Sequence, residues 1–127
     1  MSKEVIATKN APAAVGPYSQ AIKVNNLLFC SGQIALDPVS GNLVGSEVKA
    51  QTEQIMKNIS AVLTAAGASY DDVVKTTCFL TDINDFAEFN QIYGQYFTGK
   101  PARSCVAVSA LPKGALVEVE VIAEIKK

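Results

Sequence analysis

The run Pro101-Ala102-Arg103-Ser104-Cys105, with Glu118 on the next apolar-alternating segment, carries the residue types of most chemical interest. Arg103 and Cys105 stand two apart in a β-like stretch, and alternate residues of a strand share a face. That face presents a planar cation beside a thiol. A guanidinium offers five N–H donors in a rigid fork, keeps its charge, and matches a carboxylate bidentately. The pairing suits recognition of a small carboxylate. Glu118 can act as general acid or base if burial raises its pKa. Blander uses compete. An arginine here often makes a structural ion pair, with Glu118, Glu120 or an acid of another subunit. Glu118 can be an outward glutamate like Glu120 and Glu124. Cys105 can be a small buried apolar residue, although a cationic neighbour favours its thiolate.

The chain contains no histidine. Proton transfer falls to a carboxylate, tyrosine, thiol, lysine or water, and Ser-His-Asp and Cys-His mechanisms are excluded. The three cysteines, Cys30, Cys78 and Cys105, form no C-x-x-C pair and are too scattered for a disulfide framework. No cluster has metal-ligand spacing, so neither a metal nor a cofactor is expected. Eleven basic and twelve acidic residues leave a formal charge of -1, which gives no general electrostatic reason to bind nucleic acid or an anionic membrane. The N-terminus has no apolar stretch of signal-peptide length, and no run approaches a membrane span. A cytoplasmic protein with one domain over 1–127 is the expectation.

The elements that must position these residues follow from periodicity. Residues 4–8, 19–24 and 27–33 read as strands, the last two joined by a tight turn at Asn25-Asn26, since asparagine tolerates positive φ. Asn10 to Pro17 reads as a loop. From Ser46 to Ala66 the apolar spacing is helical, with Ser46 as N-cap and Gly67 as the left-handed terminator. Residues 73–80 form a strand rich in β-branched and aromatic types. A second helix spans about 84–97, capped by Asp82 or Asn84, with Phe86, Phe89, Tyr93 and Phe97 as its apolar stripe and Gly99 and Pro101 ending it. Strands 102–108 and 115–125 complete the chain.

In the last strand Val117, Val119, Val121, Ala123 and Ile125 face one way; Leu116, Glu118, Glu120, Ile122 and Glu124 face the other. Strand pairs with two interleaved helices imply an α+β sheet covered on one side. The valine face should meet the helices, leaving Arg103, Cys105 and Glu118 together on the other. That shared face requires an even-residue loop between the last two strands, and several lengths satisfy it. If the two charged residues lie far apart on one hairpin, they can still converge across subunits. A second copy covering the open face would give a subunit interface with polar sites built in.

Four further positions draw attention. Tyr18 sits in the turn Gly16-Pro17-Tyr18-Ser19-Gln20, where its phenol can donate one hydrogen bond, though such a tyrosine is more often an interface aromatic. Ser31-Gly32 ends a strand, and glycine there permits either close backbone approach by a ligand or a bulge. Asn90 interrupts the apolar stripe of the second helix.

The segments GPYSQA (16–21), CSGQI (30–34), AEFNQIYGQYF (87–97) and PARSCVAVSALPKGALVEVEVIAE (101–124), in this order and spacing, resemble the Rid family of enamine/imine deaminases across essentially the whole chain. The resemblance implies a chorismate-mutase-like fold: a mixed sheet with two helices on one face, assembled as a homotrimer around a β-barrel-like core with active sites between subunits. It implies cofactor-free hydrolysis of 2-imino acids, such as 2-iminobutanoate and 2-iminopropanoate, to 2-keto acids and ammonia. Arg103 matches the family's carboxylate-binding arginine and Glu118 the glutamate that handles the attacking water. Cys105, mainly through its backbone, Tyr18, Ser31, Gly32 and Asn90 match positions lining the site. Family members credited with ribonuclease or translation-inhibiting roles, and a non-catalytic carboxylate binder, are the alternatives.

Overall fold

Valine at every second position drives the last strand into the centre of the sheet, because only a strand with one fully dry face satisfies that pattern. The computed structural model describes residues 3–126. Its strands are β1 (Lys3–Ile6), β2 (Ala21–Val24), β3 (Leu27–Cys30), β4 (Val73–Leu80), β5 (Ala102–Ala107) and β6 (Val117–Glu124). The helices are α1 (Val48–Ala65) and α2 (Phe86–Tyr96). The six strands form one mixed sheet in the order β1-β2-β3-β6-β4-β5. All neighbours are antiparallel except β4 and β5, which run parallel.

Local chemistry accounts for most boundaries. Asn25 adopts φ 55° in the β2–β3 turn, and Gly67 at φ 80° follows α1. The N-cap of α1 is Glu47, in extended conformation and without a side-chain cap, rather than Ser46. The buried Gln51 ties that first turn down: its Nε2 donates to the Gly45 carbonyl at 3.0 Å, and its Oε1 accepts from the Leu116 amide at 2.8 Å. Asp82 accepts from the Asn84 amide at 2.9 Å and caps a 3-10 turn, Ile83–Asp85, that leads into α2. After α2 the left-handed residue is Lys100, φ 55°, not Gly99. β3 stops at Cys30, three residues short of the expected end; Gln33 then makes an isolated bridge to Val119.

Both helices cover the valine face. Ile55, Ile59 and Leu63 of α1 and Phe89 of α2 are fully buried in one core with Leu28, Leu80, Val117, Val119 and Val121. The opposite face bears no second layer. It shows Val5, Leu27, Phe29 and Val106 at 39–60% exposure, aligned by register with Ile22, Phe79 and Ile122. No described helix is long and apolar enough to cross a membrane.

One expectation fails here, with consequences for the site. The last two strands do not form a hairpin, because β4 lies between them. The chain leaves β5 and crosses over β4, pairing β6 antiparallel on its far side.

Candidate functional site

Register places Arg103 beside Thr76, and Thr76 beside Val121. Residues paired across strands project to one face. Arg103 therefore lies on the helix side, as do Cys105, Cys78 and Val119. There α2 meets it. Arg103 Nη1 donates to Asn90 Oδ1 at 2.7 Å, and its guanidinium carbon sits 4.7 Å from the Tyr93 ring centroid and 5.4 Å from that of Phe86. Phe86, Asn90 and Tyr93 recur at helical spacing and present one face of α2. The competing use of Arg103, an ion pair with Glu118 or Glu120, is not made within the protomer. Among the described residues Arg103 has no carboxylate partner and no hydrogen bond besides that to Asn90. The half-buried cation shares its cleft with a second cation, Lys100, and with neutral groups, but with no carboxylate among the described residues. It lines a cleft of about 550 Å³ with Asn90, Tyr93, Lys100 and Pro101.

Glu118 belongs to the other face. It registers with Phe79, and Phe79 with Val106. A second cleft, of about 420 Å³, is lined by Glu118, Tyr18, Ser31, Gly32, Ile34 and Lys113. Ser31 is fixed by its amide to the Gln20 carbonyl at 2.9 Å and by its hydroxyl to the Ser19 carbonyl at 2.6 Å. These bonds tie β3 to the turn carrying Tyr18, which is 53% exposed. Gly32 has a steric role: a Cβ there would lie 2.9 Å from Glu118 Cδ and closer still to Oε2. The close approach that glycine permits is made by the carboxylate of Glu118. Burial pushes the Glu118 carboxyl above its ordinary value, and the neighbouring charge of Glu120 adds to the rise. A carboxyl so raised keeps its proton to higher pH than a free glutamate, the direction that suits a proton carrier.

The predicted residues thus divide into two groups, Arg103, Cys105 and Asn90 on one face and Glu118, Tyr18, Ser31 and Gly32 on the other. The expectation that Arg103, Cys105 and Glu118 share a face is wrong for one protomer. Alternation assigns faces within each strand, but the intervening β4 sets the relation between strands. Glu118 is two strand spacings from Arg103, roughly 10 Å, and about three residues further along the sheet. The sheet itself separates them.

Burial holds all three thiols above their ordinary pKa. Burial raises Cys105 despite the opposing pull of Arg103, so the expected bias toward thiolate is not realised. Burial pushes Cys30 and Cys78 up to about 12. Among the described residues no three His, Cys, Asp or Glu side chains converge as metal ligands. Phe86 and Tyr93, expected as part of an apolar core stripe, also turn their ring faces to Arg103. Their spacing from Asn90 was the available signal.

Comparison with known proteins identifies the family. The family described as Endoribonuclease L-PSP matches residues 8–125. A Lactococcus lactis protein, AldR, which carries a regulator's name, is 56% identical over 124 residues, 97% of this chain and 98% of that protein. The mouse 2-iminobutanoate/2-iminopropanoate deaminase is 50% identical over 122 residues, 95% of this chain and 90% of the mouse protein. The crystal structure of YyfA from Yersinia pestis, of the conserved Rid family, superposes with a TM-score of 0.95 at 57% identity, covering 98% of this chain and all of that one. The chain belongs to the Rid family, the family that also bears the endoribonuclease L-PSP description.

Proposed function

We propose that this protein hydrolyses small 2-imino acids to 2-keto acids and ammonia, without a cofactor, at sites completed between copies of a homotrimer. The observation that carries the reading is the split between an unpaired guanidinium on one face and a raised carboxyl on the other. Each group is equipped for half of the reaction, and neither reaches the other within a protomer. A neighbour that brings its Glu118 cleft to the Arg103 cleft makes both halves whole. The apolar open face gives such a neighbour surface to bury. The deaminase name of the mouse relative supports the choice of substrate.

In this reading Arg103 grips the substrate carboxylate and fixes the imine carbon, removing much of the entropic cost of attack. Glu118 of the adjoining protomer takes a proton from water as its oxygen bonds to that carbon. With the imine bound as its protonated iminium, Glu118 returns that proton to the carbinolamine nitrogen and then takes the hydroxyl proton as the C–N bond breaks and the C=O forms, passing it to the departing ammonia, which leaves as ammonium. Ser31, Gly32 and Tyr18 shape the water side, and Asn90 and the Cys105 backbone the carboxylate side. The free imine already hydrolyses in water, so the roughly 10²–10⁴-fold contribution of a positioned acid/base is sufficient.

The test couples an amino-acid oxidase, which generates the imine, to semicarbazide, which traps it. An active protein lowers semicarbazone formation. Binding of 2-ketobutyrate without that effect replaces catalysis with regulation by a small carboxylate. A salt-sensitive shift of RNA mobility, with no effect on the imine, replaces it with nucleic-acid chemistry.

A further inference from the structure

The function proposed above uses the charge of Arg103 but leaves open what holds that charge without an acid. A guanidinium half-removed from water normally recruits a carboxylate. Here the compensating groups are ring faces. Tyr93, 8% exposed, lies beneath the guanidinium at 4.7 Å, and Phe86 flanks it at 5.4 Å. The Tyr93 ring is itself fixed from three sides. Its hydroxyl bonds Thr76 Oγ1 at 2.8 Å, on the β4 residue paired with Arg103. Its ring packs at 4.5 Å centroid distance on Phe97 and 5.5 Å on Phe89. The platform is built from buried residues and does not depend on a ligand.

We infer that Tyr93 is a positioning residue: its ring face, locked by Thr76, Phe89 and Phe97, holds the Arg103 guanidinium in place without an internal anion, so that the ligand's carboxylate becomes its counter-ion. Phe86 supplies a second, more distant face. Quadrupole attraction stabilises the cation without occupying its N–H donors, whereas a carboxylate would compete for them. Four of the five N–H groups remain for the ligand, one being taken by Asn90. This inference rests on the carboxylate-clamp part of the proposed function and is separable from the hydrolysis.

The experiment compares wild type, Tyr93→Leu and Tyr93→Phe by calorimetric binding of 2-ketobutyrate and of its uncharged analogue 2-oxobutanamide, alongside imine hydrolysis. Tyr93→Leu keeps apolar volume and removes the ring face. It should weaken 2-ketobutyrate about five- to thirty-fold, the range of a desolvated cation–π contact. It should raise KM with kcat changed less than about threefold, and leave the amide's affinity unaltered. Tyr93→Phe, which retains the face, should recover most of the keto-acid affinity. Equal loss for acid and amide, or wild-type keto-acid affinity in a folded Tyr93→Leu protein, overturns the inference. So does a wild type with no preference for acid over amide. Should Tyr93→Leu fail to fold, the less buried Phe86→Leu serves, with the same selective but smaller loss expected; no loss there counts against the platform. Selective weakening in a protein that never accelerates imine decay keeps the platform and discards the deaminase. Normal hydrolysis with indifferent variants does the reverse.

Discussion

The Arg103 and Glu118 regions are built on opposite principles. Around Arg103 the chain spends aromatic surface on a guanidinium: α2 lays Phe86, Asn90 and Tyr93 against it, and the core behind them is apolar. Around Glu118 the surroundings are loops, a glycine and a bare sheet face, and the charge is one whose pKa moves with its environment. A permanent cation needs orientation, which packing supplies. A proton carrier needs adjustable solvation, which an uncovered face acquires only when something docks on it. One region is packed by its own helix and the other lies on a face that the protomer leaves uncovered.

The sharpest break in that contrast comes from the charges themselves. Arg103→Lys replaces a fork by a point charge, and Glu118→Gln removes the proton acceptor; each should lower imine hydrolysis at least about 10²-fold in a folded protein, read in the semicarbazide assay. Near-native turnover in either variant removes that residue's assigned role. Mixing the two dead variants tests the division between protomers. If a site draws Arg103 from one subunit and Glu118 from the next, random reassembly of equal amounts into trimers restores about a quarter of wild-type activity. A mixture that stays inactive returns both residues to a single chain or to no common site.

Gly32→Ala is the next probe. The added methyl must displace the Glu118 carboxyl, so activity should fall markedly while the Arg103 region keeps its keto-acid affinity; overpacking of this kind costs about 1–3 kcal/mol, measurable by denaturant unfolding. Smallest is the effect of Glu120→Gln. Glu118 acts as a base once deprotonated, so activity should rise with pH through its raised pKa. Removing the lesser cause of that rise, the Glu120 charge, should move the acid limb to lower pH without abolishing it. The linked stability change has a fixed sign. A carboxyl raised in the folded state favours folding below its unfolded pKa, and that contribution is lost as pH rises through the folded value. An acid limb that stays put in Glu120→Gln assigns the rise to burial alone.

Much of this was legible in the residues. Strand β4 occupies 73–80 as its β-branched run indicated, the alternation of β6 identified its dry face, and Asn25 and Gly67 took the left-handed conformations their types allow. These are local properties, fixed by neighbours three or four positions away. The relation of Arg103 to Glu118 is not local. It depends on whether the chain returns beside β5 or crosses β4 first, and the loop Val108–Leu116 carries no alternation that decides this. Ser46 failed as a cap for a similar reason: Gln51, reaching to Gly45 and Leu116, sets where α1 begins, and that contact spans 65 positions. The cradle beneath Arg103 was hidden because an aromatic stripe has the same spacing whether it fills a core or supports a cation.

Arg103 and Glu118 lie on opposite sides of one sheet, so if the proposed site draws one from each of two copies, a solitary chain is chemically mute. On that condition newly made copies would fold and circulate without hydrolysing an imine until enough of them accumulated to meet. Catalytic output would then climb more steeply than protein amount at low abundance, and dilution alone would act as an off-switch that needs no inhibitor.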